Sequence, residues 1–335
     1  MRIFLSILSY SFVIGLLAFA ALTYYGWNEY TKTGTRAEDK VYFVHKGQGV
    51  SHIANGLKLE GIIKQPLLFR AAARLSGSDS KIHAGEYEIS KTDSVRDILV
   101  KMANGEVYQR SITIPEGLTS WQIVQALRAQ MSIDAAENAD IKVPPEGSLL
   151  PETYHYVRGD DAQMILDRMS GAMTKTIEEL WPTRDESLAV LSKAEAVILA
   201  SIVEKETGVA SERDMVAGVF HNRLKIGMAL QTDPTVIYAL TKGKIEDKGQ
   251  GPLGRRLLRK DLQVDSPYNT YKNPGLPPGP IANPGRASIE AVLKPAKHDY
   301  LYFVADGSGG HAFARTLAEH NANVAKWRKI RKAQN

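Results

Sequence analysis

Two carboxylates, Glu204 and Glu206, close a run that carries no charge from Ala196 to Val203. Ser192 followed by Glu195 is a capping-box pattern, so a helix starts there. Because that helix is apolar on all sides, it belongs in the middle of a folded domain. A carboxylate that continues a buried helix is costly to ionise unless it is paired. Burial raises its pKa toward the range where it can donate a proton at neutral pH, as a general acid must. On the helix Glu204 lies above Val197, Ala200 and Ser201, whereas Glu206, about 200° further round, lies above Leu199, Ile202 and Val203. Helical position does not choose between them. The plainer reading makes both the solvated end of the helix, one of them pairing with Lys205 or Arg213.

Longer strings surround this pair. The run Leu199-Ala-Ser-Ile-Val-Glu-Lys-Glu-Thr207 is followed by Val219-Phe-His-Asn-Arg-Leu224, Leu230-Gln-Thr-Asp-Pro-Thr-Val-Ile-Tyr238 and Ser266-Pro-Tyr-Asn-Thr-Tyr271. Then come Gly275-Leu-Pro-Pro-Gly-Pro-Ile-Ala-Asn-Pro-Gly285 and Tyr300-Leu-Tyr-Phe-Val304, with Pro151-Glu-Thr-Tyr154 upstream. In type and order these closely resemble the YceG-like family of bacterial endolytic murein transglycosylases, from the apolar N-terminus to about Trp327. The resemblance implies that the first glutamate of the E-K-E string, Glu204, is catalytic. It implies a lytic cut of the bond between N-acetylmuramic acid and N-acetylglucosamine by one carboxyl group. Glu204 would protonate the leaving oxygen and then take the proton of the sugar's own C6 hydroxyl, closing a 1,6-anhydro ring without water. It also implies association with peptidoglycan synthases, for which the chain shows no motif of its own.

A hydrolase would instead need a second carboxylate about 5 to 9.5 Å away. Asp233 is the best candidate, although an Asp before Pro234 at a helix start also suits an N-cap. A glycan-binding scaffold without turnover, in which Glu204 is structural, is the third reading. Gln231, Thr232, Asp233, Tyr268, Asn269 and Tyr271 offer amide, hydroxyl, carboxyl and ring surfaces suited to sugars, in segments stiffened by proline. They are the candidate substrate contacts.

The elements that must position these groups read as an α+β chain: an N-terminal transmembrane helix, a small α/β module, then an α+β catalytic domain. Ile3 to Trp27 has no charge, is long enough for a hydrocarbon core of about 30 Å, and ends near Tyr24, Tyr25, Trp27 and Tyr30, rings that suit the headgroup zone. Arg2 marks its near end as cytoplasmic, so residues 1–27 are expected as a single-pass anchor in the cytoplasmic membrane, with the rest outside; Ala18 to Ala20 leaves a cleaved signal peptide as the alternative. A tether over 28–40 follows, and then a module over 41–110. Its order of strand (Val41 to Val44), helix (from Val50), helix (Pro66 to Leu75) and strand (Gly85 to Ile89) resembles a LysM-like module, a small fold associated with N-acetylglucosamine polymers. In the second helix Pro66 suits the first turn, and Leu67, Leu68, Ala71 and Leu75 share a side. Residues 111–154 read as a connecting segment and 155–335 as the catalytic domain. An internal echo spans the first boundaries: Gly47, Ile53, Ala54 and Leu57 recur as Gly117, Ile123, Val124 and Leu127 at identical offsets.

Composition narrows the chemistry. The 335 residues contain no cysteine, which excludes disulfides, thiol nucleophiles and iron–sulfur or cysteine-zinc sites. The eight histidines form no metal-ligating pattern, so neither metal nor cofactor is expected. Asp306-Gly-Ser-Gly-Gly310 lies between two β-prone runs and reads as a hairpin turn, not a phosphate loop. The net charge of +5 hides an acidic middle: +4 over 31–110, −7 over 111–190 and +8 over 191–335. The basic last part suits an anionic wall polymer, with no nucleic acid expected. The loop Lys242 to Lys260, rich in Arg and Lys, reads as solvated or as a contact for anionic glycan or lipid headgroups.

Overall fold

The computed structural model describes residues 2–131, 141–158, 160–244 and 253–334. They form two compact units, Met1–Arg110 with His155–Asp160, and Ser111–Tyr154 with Asp161–Asn335.

The smaller unit begins with α1 (Arg2–Thr31), and Tyr10–Thr31 within it is long and apolar enough to cross a membrane, a test that a signal sequence also passes. Phe12, Leu16, Leu17, Phe19 and Leu22 are exposed along it. The helix runs four residues beyond Trp27 into the expected tether, because nothing breaks it before Gly34 and Tyr30 finds apolar support on the unit's core. Then come β1 (Lys40–Val44), α2 (Val50–Leu59), α3 (Pro66–Leu75), β2 (Gly85–Ile89) and α4 (Val95–Asn104). β1 and β2 pair antiparallel, with Lys40 opposite Ile89 and Val44 opposite Gly85. Tyr42 and Val44 face Ile53, Ala54 and Leu57 of α2, Phe69 and Ala73 of α3, Tyr87 and Ile89 of β2, and Ile98, Leu99 and Met102 of α4. The inward face of α3 is therefore not the leucine face. Leu67 and Leu75 are exposed, and Phe69 takes the core because its ring buries more apolar area than a leucine. Ser94 and Asp97 close a full capping box on α4.

Further along lie β3 (Arg110–Thr113), α5 (Ser120–Gln130), β4 (Thr153–Tyr156), α6 (Ala162–Leu180), α7 (Lys193–Glu206) and α8 (Arg213–Lys225). α9 (Asp233–Thr241), α10 (Arg286–Leu293), the hairpin β5 (Tyr302–Ala305) and β6 (His311–Ala314), and α11 (Leu317–Gln334) complete the chain. β3 pairs with β4 in a sheet of their own. The echo is structural as well as sequential. Gly47 and Gly117 both take positive φ (81° and 76°), which side chains resist, and each is followed two residues later by a helix N-cap. Ile53, Ala54 and Leu57, like Ile123, Val124 and Leu127, are then fully buried.

α7 is the axis of the larger unit. Ser192 caps it by accepting from the Glu195 amide, but the Glu195 carboxylate takes the Leu191 amide rather than that of Ser192, so the box is shifted by one residue. Every residue from Ala196 to Val203 is buried, against Phe220 of α8, Ile289 and Val292 of α10, and Met173 of α6. The one polar member, Ser201, donates to Ile198 O (2.7 Å) and accepts from Ile281 N (3.0 Å), so its hydroxyl is satisfied without water.

The segment 111–154, expected as a connection, is integral to this unit, because its polar atoms are satisfied from within it. Glu146 accepts from Ser120 N (2.8 Å), and Leu149 N donates to the Asn283 side chain (2.9 Å). Asn283, fully buried, donates in turn to Leu118 O, Ser120 Oγ and Glu146 Oε1, each at 3.1 Å. Asn283→Ala strands several of these groups away from water, so it should destabilise the unit by about 2–4 kcal/mol, measurable by denaturant unfolding.

Candidate functional site

The end of α7 sends its two carboxylates into different surroundings. Glu206 borders a cleft of about 480 Å³ whose lining includes Gln231, Thr232, Asp233 and Tyr271, four of the six residues singled out for sugar contact. Phe220, Arg223, Tyr302, Phe303 and His320 complete most of the wall.

Several wall residues are fixed by identifiable bonds. Arg223, on the face of α8 one turn after Phe220, is buried and donates to Leu301 O (2.6 Å) and Leu230 O (2.6 Å), tying the residue before Gln231 to the hairpin. Gln231 has φ +51°, a left-handed conformation that costs a non-glycine residue of order 1 kcal/mol. It is held there because Gln231 N donates to Thr270 O and Thr232 N to Thr270 Oγ1, both at 3.1 Å. α9 starts at Asp233 with Thr232 as N-cap, and neither caps through its side chain. The Asp233 carboxylate instead accepts from the Tyr271 hydroxyl (2.6 Å), so the expected N-cap role gives way to a bond across the cleft wall. His320 stacks on Tyr302 (5.3 Å), and its buried Nδ1 has no partner among the described residues.

Tyr268 and Asn269 lie outside this lining. Asn269 is fully buried, with its amide nitrogen donating to Leu262 O and Val264 O and its oxygen accepting from Tyr271 N, so it shapes the loop that delivers Tyr271. Tyr268 packs on Tyr238 (4.9 Å) and over Gly279.

Glu204 faces the other way. Its side chain is 6% exposed, accepts from Gly285 N (2.9 Å) and stands 4.0 Å from the Arg213 guanidinium, which also reaches Glu116 (3.4 Å). A Cβ at position 285 would overlap the Glu116 carboxyl, so that side chain would have to move aside. With Ser201 bonded to Ile281, Glu204 completes a second stitch between α7 and the 281–285 loop.

The electrostatics differ accordingly. Burial, reinforced by the Asp233 charge, pushes the Glu206 carboxyl up to about 7, while Thr232 and Arg223 pull it partway back. Burial raises Tyr271, and its bond to Asp233 adds to the rise. Burial also raises Glu116, and the neighbouring Glu204 charge adds to that. Among the described residues no group of three or more His, Asp or Glu side chains is placed to hold a metal. Glu206 can thus hold a proton near neutrality beside a cleft walled by amide, hydroxyl and aromatic groups.

Over residues 42–326 the chain matches the YceG-like family. The chain belongs to that family. It is 36% identical over 314 residues to the endolytic murein transglycosylase of Bacillus subtilis (strain 168), covering 85% of this chain and 83% of that one. The endolytic murein transglycosylase of Streptococcus pneumoniae serotype 2 is 31% identical over 372 residues, covering 94% of this chain and 65% of the relative. A crystal structure of a YceG-like protein from Listeria monocytogenes superposes with a TM-score of 0.54 at 34% identity, covering 86% of this YceG-like chain and 99% of that one.

Sequence reasoning missed Arg223, His320 and the aromatic wall. The Val219–Leu224 string held the first in plain view, since Phe220 and Arg223 are one helical turn apart. Nothing local marks His320, which reaches the cleft only through the hairpin fold.

Because the raised carboxyl resists ionisation in the folded state, the native form binds more protons than the unfolded chain between about pH 4.5 and 7. Stability from this group is therefore lost as pH rises through that window. Glu206→Gln, always neutral, should melt with a flatter dependence on pH over the same range in thermal unfolding.

Proposed function

We propose that this chain is an endolytic murein transglycosylase, cutting glycan strands between N-acetylmuramic acid and N-acetylglucosamine with release of a 1,6-anhydro end. The observation that carries the reading is the placement of Glu206 at the end of the buried helix, bordering a cleft lined by Gln231, Thr232, Asp233 and Tyr271, where burial raises its carboxyl. The relatives' shared name supports the substrate class.

In this mechanism the protonated Glu206 donates to the glycosidic oxygen as the C1–O bond breaks. Its carboxylate then takes the proton of the C6 hydroxyl, whose oxygen closes on C1. The carboxyl ends protonated as it began, and no water is consumed. Asp233 contributes negative charge that keeps the Glu206 proton in place. Its own acceptor bond from Tyr271 occupies it in a way that a hydrolytic base would have to break.

A second reading follows the family resemblance and gives the proton transfer to Glu204. There Glu204 accepts from Gly285 N (2.9 Å) and stands 4.0 Å from the Arg213 guanidinium. The proposal extends to the smaller unit as a LysM-like glycan-binding module, to α1 as a single-pass anchor with the folded units on the extracytoplasmic side, and to peptidoglycan synthases as partners.

Purified murein incubated with the protein should yield anhydro-ended fragments by mass. Reducing ends would mean the hydrolase using Asp233, and no cleavage the scaffold. Glu206→Gln should lower the rate by about 10²-fold or more with the fold retained. Glu204→Gln should cost less, and the reverse order would move the acid role to Glu204. The wild-type rate should fall as pH rises above about 7, where Glu206 loses its proton.

A further inference from the structure

Lys205, between the two glutamates, lines a separate pocket of about 220 Å³ with Pro234, Ile237, Tyr238, Ile281 and Lys244. The pocket is smaller than the ~300–1,000 Å³ usual for a whole small ligand, so it suits a side group of something larger. Its floor is apolar, from Pro234, Ile237, Ile281 and the Tyr238 ring, while its two charged groups are both ammoniums. The Lys205 Nζ donates to Gly117 O (3.2 Å), a neutral carbonyl, and among the described residues no carboxylate lies within ion-pair distance of it or of Lys244. Burial disfavours the Lys205 charge, and the Glu204 charge opposes that only in part. An ammonium at the edge of an apolar floor is complementary to a carboxylate carried on an aliphatic stem.

The pocket's address matters as much as its lining. Lys205 and Pro234 directly adjoin Glu206 and Asp233 in the chain, and consecutive Cα atoms are about 3.8 Å apart. Pocket and cleft thus flank the same two backbone sites, and a polymer lying in the cleft would bring its side branches here.

We propose that this pocket, between the end of α7 and α9, is a subsite for a carboxylate of the peptide stem that branches from the glycan. The assignment rests on the murein reading above, and it adds a peptide-dependent contact to it. In the full chain carrying Glu204→Gln and Glu206→Gln together, to prevent turnover whichever glutamate is the acid, binding is measured to three soluble glycan strands: peptide-bearing, peptide-free, and peptide-bearing with its carboxylates amidated. The peptide-bearing strand should bind tightest, and the other two should resemble each other. Adding Lys205→Met should weaken binding of the peptide-bearing strand by roughly tenfold or more and erase its advantage. Lys244→Met should do the same to a smaller extent, while Lys205→Arg should keep the advantage. Equal weakening on all three strands, or an advantage that survives amidation, overturns the subsite. Cleavage of the same strands by the wild-type chain reports separately on the murein reading, which can fail while the binding contrast stands.

Discussion

Eight consecutive dry positions on α7 set the terms for everything built around them. A helix that cannot meet water along two turns must satisfy its one hydroxyl internally and must hand over to polar residues abruptly. Ser201 meets the first demand by bonding forward to Ile281 and back to Ile198. Glu204, Lys205 and Glu206 meet the second, the two carboxylates still partly buried where the helix leaves the core and the lysine between them exposed. The chemistry at that end is a consequence of where the helix had to be placed.

The loop 281–285 turns this constraint into an architecture. It is fixed to α7 at Ser201 and again, one turn later, at Glu204. Between those points Asn283 spends its whole amide on residues 118, 120, 146 and 149. A proline-rich segment that carries no regular structure therefore holds α5, the Pro145-Glu-Gly turn and the central helix in one frame. Glu204 bonds into that frame through Gly285, while Glu206 borders the cleft.

Much of this was legible from residue types. The strand, helix, helix, strand order of the smaller unit, the proline-started α3 and the buried α7 follow from local periodicity and caps, which the tertiary structure respects. The inward face of α3 did not, because alternatives of similar apolarity are decided by which side chain fills the available volume. Four of the six proposed sugar contacts share the Glu206 cleft, since Gln231, Thr232 and Asp233 are consecutive and Tyr271 bonds to one of them. Asn269 reads the same in one dimension, but a loop whose carbonyls point inward consumed its amide. The different surroundings of Glu204 and Glu206 lay beyond a helical wheel, because they depend on Gly285, Arg213 and Asp233, each distant in the chain or in helical phase.

Gln231 has a backbone that glycine would occupy more cheaply. Selection for heat resistance alone would favour that exchange, as such positions are among the easier ones at which to gain stability. A family member tuned for endurance rather than turnover should be recognisable by a glycine here. Where the amide persists, the chain keeps a strained residue at the rim of its cleft in return for a hydrogen-bonding group there.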